Sequence, residues 1–162
     1  MNASRILAAA ALATVSLQLA GCSAAEDAVT GGTSSSGFDA VYTGVIGKNC
    51  NGCHGTSAPG YNPGETESSL DFTSADAAYN SLKGQSTGLT GNFAACNGKA
   101  FVVAGDASKS LLMASIENAT RKAYANGACT SASVSAMESR GGALTAAQVS
   151  LVRDWINAGA KR

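Results

Sequence analysis

Aromatic residues and net charge are both scarce in this sequence. Phe, Tyr and Trp make up 6% of the 162 residues, although 45% are hydrophobic, and the formal net charge is zero. The balanced charge gives no indication of a nucleic-acid partner, and we expect none. Alanine is the commonest hydrophobic residue and buries little apolar area, so a core of side chains alone would be thin. We expect something else to fill part of the core of this single domain.

The first 21 residues have the features of a cleaved secretory signal. Arg5 precedes an apolar run that is too short and too alanine-rich to span a membrane comfortably. The run ends in "LAGC" at Cys22, which resembles the lipobox of bacterial lipoproteins; an ordinary signal with an incidental cysteine is the alternative. The resemblance implies lipidation of Cys22 and stable anchoring by several acyl chains. Because Ser23 follows, we expect export to the outer membrane, facing the periplasm or the cell exterior.

Residues 22–37 lack the apolar side chains that a folded segment needs. They are rich in Gly, Ser and Thr, and Val29 is their only sizeable apolar side chain. Such a segment cannot bury enough surface to offset its ordering entropy. The sequence therefore predicts a lipidated cysteine with a flexible tether over residues 22–37 and a folded domain over residues 38–162.

The stretch "KNCNGCHG" holds Cys50, Cys53 and His54, the only histidine of the chain. A redox dithiol uses two cysteines at this spacing, but normally in a βαβ context that no strand pattern supports here. A zinc site would need Cys96 and Cys129 as well, yet these two are 33 residues apart and lack zinc-ribbon spacing. Attachment of a c-type haem matches the C-x-x-C-H pattern completely.

Haem attachment also gives the spacing a physical reason. Two cysteines three residues apart on a helical turn face the same side and can form thioethers to the two vinyl groups of one haem. The adjacent His54 can then supply an axial nitrogen to the iron. A buried porphyrin would add the apolar bulk that the core lacks. We therefore expect one covalently bound haem c.

Helical patterns occupy most of the predicted domain. "FDAVYTGVIGKNC" places apolar residues on one helical face from Phe38 to the cysteine pair. Thr145 and Gln148 form a capping-box pattern at the start of the final helix. Shorter helices are predicted to end at Gly84 and to start near Asp106. Since no convincing strand pattern is present, we expect an all-α domain.

Residues 38–160 resemble the mono-haem class I cytochromes c. The segments "LDFTSADAAYNSLKG", "VVAGDASKSLLMASI" and "GGALTAAQVSLVRDWINAGA" look like the cytochrome c-like domains of bacterial lipoproteins. The resemblance implies a helical domain wrapped around one haem, in which the CxxCH-bearing helix crosses the C-terminal helix at an aromatic residue. Trp155 matches that position.

The sixth ligand of the iron cannot be a second histidine of the same chain, since His54 has no counterpart. Methionine is the usual alternative. Met113 lies on an apolar helical face, which favours core packing. Met137 lies in a small, polar segment before the last helix, where the resemblance implies a distal ligand, although Glu138 follows where the family often has proline. We expect Met137 to be the ligand; Met113 or an open position is the alternative.

Two further features follow from export and from the resemblance. Cys96 and Cys129 remain once the other cysteines are assigned, and thiols outside the cytoplasm tend to be oxidised, so we expect a disulfide between them. The resemblance also implies a backbone carbonyl that accepts a hydrogen bond from the proximal histidine. Pro59 is the nearby candidate for that carbonyl, and a simple turn residue is the alternative.

The function expected from these features is one-electron transfer between redox partner proteins by a membrane-anchored carrier. With both axial positions filled, the iron has no place for a small-molecule substrate, and we expect no enzymatic activity. An open-site haem protein, peroxidase-like or gas-sensing, is the alternative if Met137 does not bind iron. Glu138 or Arg140 could then take part in chemistry. A structural lipoprotein with an incidental CxxCH is a third possibility.

Overall fold

The structure is a computed structural model that describes residues 37–56, 70–84, 88–89 and 91–162. The chain divides into two compact units, Met1–Gly32 and Thr33–Arg162, and all described residues belong to the second unit. The predicted signal, Cys22, most of the tether and Pro59 lie outside the described residues. In the described ranges, no helix is both long enough and apolar enough to cross a membrane.

Short helices separated by turns make up most of the described chain. The α-helices are α1 Phe38–Val41, α2 Gly47–Asn49, α3 Ala75–Gly84, α4 Leu111–Ile116, α5 Asn118–Ala123, α6 Glu138–Gly141 and α7 Ala146–Asn157. A π-helical segment, Tyr42–Ile46, joins α1 to α2, and 3₁₀ turns occupy Gly91–Cys96, Ala107–Lys109 and Ser131–Ser133. The domain is therefore helix-rich, as the sequence predicts.

One short antiparallel pair departs from the all-α expectation. β1 (Ala125–Asn126) pairs with β2 (Cys129–Thr130). Gly127, with φ of 67°, allows the two-residue connection that joins them. The segment has no β-branched run, so its sequence gives little indication of a strand.

The N-terminal helical segment crosses α7 closely. The ring of Phe38 lies 4.9 Å from that of Trp155 by centroid distance, and both side chains are buried. At Gly44 an added Cβ would lie 3.0 Å from Cδ2 of Leu151, so glycine permits the close approach. Gln148 Nε2 donates a hydrogen bond to the Gly44 carbonyl at 3.1 Å. The resemblance implies a crossing of this kind, with Trp155 as its aromatic residue.

The predicted start of α7 is confirmed, whereas the helix predicted to start near Asp106 begins there only as a 3₁₀ turn. Thr145 and Gln148 form the capping box in full. Asp106 caps only the 3₁₀ turn Ala107–Lys109, and α4 begins after an extended Ser110. The buried Ser110 hydroxyl accepts from the Val103 N–H at 2.8 Å and donates to the Asp106 carbonyl at 2.9 Å. These local bonds compete with a continuous helix.

The last described residues close the domain onto α3 and α7. Trp155 Nε1 donates to the Lys161 carbonyl at 2.7 Å, and the Tyr79 hydroxyl donates to the Ala160 carbonyl at 3.2 Å. The guanidinium of Arg162 forms ion pairs with one aspartate near the start of α1 and one in the first turn of α3. Residue 162 therefore lies beside the start of the folded domain.

Candidate functional site

The CxxCH motif lies on tight turns directly after α2. The Cys50 N–H donates to the Ile46 carbonyl at 2.9 Å, which continues the helical bonding past the end of α2. The Cys53 and His54 N–H groups both donate to the Cys50 carbonyl, at 3.1 and 3.0 Å. The π-helical segment stands one turn before the motif, a placement that π-bulges often have near functional sites. The backbone thus gathers the three side chains within one helical turn.

Both thiols of the motif are free, but their surroundings differ. Cys53 is exposed, whereas Cys50 is half-buried and packs against the hydrophobic core. Burial, and secondarily the neighbouring Cys53, raise the pKa of the Cys50 thiol to about 11. A dithiol oxidoreductase lowers the pKa of its attacking thiol. The direction of the shift and the helical context therefore both argue against a redox dithiol.

The imidazole of His54 packs against Phe72, and the backbone of His54 is hydrogen-bonded to the same residue. Its ring lies 5.1 Å from the ring of Phe72 by centroid distance. The Phe72 N–H donates to the His54 carbonyl at 2.6 Å, and the Tyr42 hydroxyl donates to the Phe72 carbonyl at 3.2 Å. Tyr42 and Phe72 therefore fix the position of the histidine, a role that the sequence alone does not indicate.

His54 Nδ1 is a buried polar atom without a hydrogen-bond partner among the described residues. Burial lowers the pKa of His54, which favours the neutral imidazole that binds metals. A buried polar atom without a partner is unfavourable and needs an explanation. A site that is completed by a further group explains it. Pro59, the candidate for a carbonyl partner, lies outside the described residues.

The two candidate methionine ligands occupy different environments. Met113 is fully buried in the middle of α4, as expected for a core residue. Met137 is half-buried at the N-cap of α6 and packs against the same hydrophobic core as Cys50. In the described part of the chain, no hydrogen bond or ring contact joins His54 to Met137.

The residue after Met137 is engaged in an ion pair. Both carboxylate oxygens of Glu138 accept hydrogen bonds from the guanidinium of Arg121 on α5, at 2.8 and 3.0 Å. Arg121 lowers the pKa of the Glu138 carboxyl through these bonds. Arg140 is exposed. The sequence did not indicate this pair, because the two residues are 17 positions apart with no local pattern joining them.

The remaining cysteines are joined to each other. Cys96 and Cys129 form a disulfide, the pairing that the sequence predicts. A four-thiolate zinc site would require both of these sulfurs as thiolates, so it is incompatible with the disulfide.

The described residues of the motif fit covalent attachment of a haem. The two free thiols lie on one helical turn, next to a half-buried imidazole whose Nδ1 is buried and has no hydrogen-bond partner among the described residues. Thioether formation consumes both thiols, and iron coordination uses one imidazole nitrogen.

No family model, no curated protein and no solved structure matches this chain. The resemblance to cytochromes c therefore stays a prediction from the sequence motifs.

Proposed function

We propose that this protein is a membrane-anchored, mono-haem c-type cytochrome that transfers single electrons between redox partner proteins. The observation that carries the proposal is the arrangement of Cys50, Cys53 and His54. These residues lie on one helical turn, with two free thiols and a half-buried imidazole whose buried Nδ1 has no partner in the described ranges. This combination suits a covalently attached haem better than a dithiol or a zinc site.

The proposed role of each residue follows from its surroundings. Cys50 and Cys53 would hold the haem through thioethers, and His54 would supply the proximal ligand, oriented by Phe72 and Tyr42. Met137 would supply the distal thioether. Haem contributes the ferric/ferrous couple when bound. The chain's own contribution would be to hold the group through these four residues and to keep water away from it.

The proposed anchoring rests on the sequence features at the N-terminus. A lipidated Cys22 and the tether would hold the domain at the outer membrane while leaving it free to reach partners. The zero formal net charge argues against strong electrostatic steering. Partner contacts of such a carrier are expected to be small and transient.

Covalent attachment is tested by producing the exported protein together with a cytochrome c maturation system. The mature chain is expected to gain the mass of one haem and to keep the haem stain after denaturing electrophoresis. Replacement of both cysteines, Cys50→Ala and Cys53→Ala, should abolish the stain. A wild-type chain that matures without haem would contradict the proposal and support an interaction lipoprotein with an incidental motif.

Axial ligation is tested by absorption spectra of the ferric and ferrous protein, with and without carbon monoxide. A low-spin ferrous spectrum that carbon monoxide leaves unchanged is expected, because both axial positions are filled. Met137→Ala should then allow carbon monoxide to bind. If carbon monoxide binds the wild-type protein readily, the site is open, which would support a peroxidase-like or gas-sensing haem protein. Glu138 is already paired with Arg121, so it is not free as an acid or base in such chemistry.

A further inference from the structure

Arg121 makes hydrogen bonds in two directions from α5. Its Nη1 donates to the carbonyls of Ala114 and Ser115, in the last turns of α4, at 3.2 and 3.3 Å. Nη1 and Nη2 also donate to the two carboxylate oxygens of Glu138, at 2.8 and 3.0 Å. The Arg121 side chain is only 13% exposed. One guanidinium therefore ties the end of α4 to the first residue of α6.

Met137 lies between the two ends of this network. Its N–H donates to the Ser115 carbonyl at 2.9 Å, the same carbonyl that accepts from Arg121. Glu138, whose carboxylate is held by Arg121, is the next residue in the chain. The backbone on both sides of the Met137 side chain is therefore fixed to α4 and α5.

A role in fixing the position of the segment around Met137 explains this ion pair better than a contribution to stability does. Taking two charges largely out of water is unfavourable, and apolar replacements of buried ion pairs are often neutral or stabilising. A bidentate pair between arginine and a carboxylate, however, fixes distance and angle together. Such a pair suits a segment whose position has to be held.

We propose that Arg121 and Glu138 are positioning residues that hold the Met137 thioether at the iron, an inference that rests on the proposed function. The thioether is uncharged, so it lacks the electrostatic attraction that a charged ligand has for a metal. Its position therefore depends on the backbone to which it is attached. Groups that orient ligands in this way typically change metal affinity about 10- to 100-fold. Glu138 stands where the resembled cytochromes often have proline, and its side-chain bonds here restrain the segment that a proline ring would stiffen.

The test uses the haem-loaded protein and two conservative variants, Glu138→Gln and Arg121→Lys. Glu138→Gln removes the negative charge at nearly constant side-chain shape. Arg121→Lys keeps the positive charge but cannot form the bidentate hydrogen bonds. Ferric protein is titrated with imidazole, and the weak red absorption band that thioether ligation gives to ferric haem is recorded. Both variants are expected to bind imidazole about 10- to 100-fold more tightly than wild type, with a weaker red band and the same covalent haem content.

Two control variants separate positioning from general loosening. Arg153→Lys weakens the other arginine–glutamate pair, with Glu117, which joins α7 to the segment before α5. Lys122→Gln removes an exposed charge beside Arg121. Both controls are expected to bind imidazole as wild type does, and unfolding midpoints are measured for every variant.

The outcomes separate this inference from the function on which it rests. If the Glu138 and Arg121 variants bind imidazole as wild type does while Met137→Ala opens the site, the positioning role is overturned and Met137 ligation stands. An equal gain in affinity for Arg153→Lys would also overturn it, because any loosening would then suffice. If wild type lacks the red band and binds imidazole as Met137→Ala does, Met137 is not a ligand and both proposals for the distal side fail.

Discussion

Met113 and Met137 share a side chain but differ in what surrounds it. Met113 is fully enclosed by the core, whereas Met137 is half-buried at the edge of α6. A thioether in a filled core is held by packing on all sides. A thioether at the rim of the core can instead reach a group outside the chain. The environment therefore favours core packing for Met113, and Met137 stays the proposed ligand.

Substitution of Met113 should affect stability and leave ligation alone. Met113→Ala is expected to lower the free energy of unfolding by about 2–5 kcal/mol, and Met113→Leu by less than about 1.5 kcal/mol. Both variants should keep the red band of the ferric haem protein, and the matched variant Met137→Leu should lose it. Urea unfolding and absorption spectra provide the measurements. Loss of the band in Met113→Leu would make Met113 the ligand.

The Asp106 carboxylate should make stability depend on acid pH. It accepts from the Ser108 hydroxyl at 2.6 Å, from the Lys109 ammonium at 3.0 Å and from the Lys109 N–H at 3.1 Å. The bond from Ser108, followed by those from Lys109, lowers the pKa of the carboxyl from 3.8 to about 2. Because the folded-state pKa is depressed, its contribution is present above pH 3.8 and is lost as the pH falls towards 2. Asp106→Asn should therefore be less stable than wild type at neutral pH and equally stable below the folded pKa.

Urea unfolding of the two proteins across this pH range measures the difference. Since the Asp106 carboxylate is partly exposed, high salt should reduce the difference in free energy of unfolding between the two proteins at neutral pH. If the difference in free energy of unfolding between wild type and Asp106→Asn is the same at every pH, the carboxylate charge does not favour the folded state.

At the scale of elements, the disulfide joins two short segments that have little regular bonding of their own. Cys96 ends the 3₁₀ turn Gly91–Cys96, and Cys129 begins β2, a strand of two residues. An isolated two-stranded hairpin is marginal in water. The link between the turn and the hairpin restrains the segment that lies between the two cysteines.

Removal of this link should lower stability substantially. The cysteines are 33 residues apart, and closing a loop of this size contributes roughly 3–4 kcal/mol on the chain-entropy estimate. The double variant Cys96→Ser, Cys129→Ser should lose about this much free energy of unfolding while keeping its haem spectrum. Thiol labelling of the unfolded, unreduced haem protein should find neither cysteine reactive. Two reactive thiols would contradict the disulfide.

Elements with strong local signals could be predicted from the sequence. The capping box of Thr145 and Gln148 and the apolar stripe of α7 are set by neighbours in the chain, so they are readable locally. The interruption at Ser110 depends on a hydroxyl bonded to Val103, seven residues away. The propensity of serine does not reveal whether it will bond in this way.

The candidate site shows the same distinction between local sequence patterns and long-range contacts. The order of Cys50, Cys53 and His54 is a local pattern, and the sequence indicates it directly. Phe72 contacts His54, and Arg121 contacts Glu138, across many residues of sequence, and nothing in their flanking sequence indicates either contact. Long-range partners of a motif become visible only when the fold brings them together.

At the scale of the whole molecule, the chain after α7 joins segments that are far apart in sequence. The carbonyls of Ala160 and Lys161 accept from two largely buried aromatic side chains, Tyr79 and Trp155. Arg162 lies over the rings of Phe38 and Tyr79 at about 6 Å, and its charge pairs with aspartates of α1 and α3. The start, the middle and the end of the folded domain therefore meet at one place.

Deletion of residues 160–162 should destabilise the domain far more than loss of the Arg162 charge. The deletion leaves the Tyr79 and Trp155 donors without acceptors, at a cost of about 1–3 kcal/mol each. Arg162→Ala removes partly exposed ion pairs, which contribute about 0–1 kcal/mol, and the contact of the guanidinium with two rings, which contributes about 0.5–1 kcal/mol at such a site. Thermal and urea unfolding of both variants provide the comparison. Equal losses would assign the stabilisation to the guanidinium and not to the backbone carbonyls.

Trp155 is the only tryptophan of the chain, and it is buried where α1 crosses α7. Its fluorescence therefore reports on that crossing alone, without contributions from other indoles. A haem held by the proposed residues would absorb at the wavelengths of indole emission and would quench it by energy transfer. The emission of Trp155 should be weak in the haem-loaded fold and strong in the haem-free fold. In the unfolded chain the emission maximum should shift to longer wavelength. One optical signal therefore distinguishes three states of the molecule.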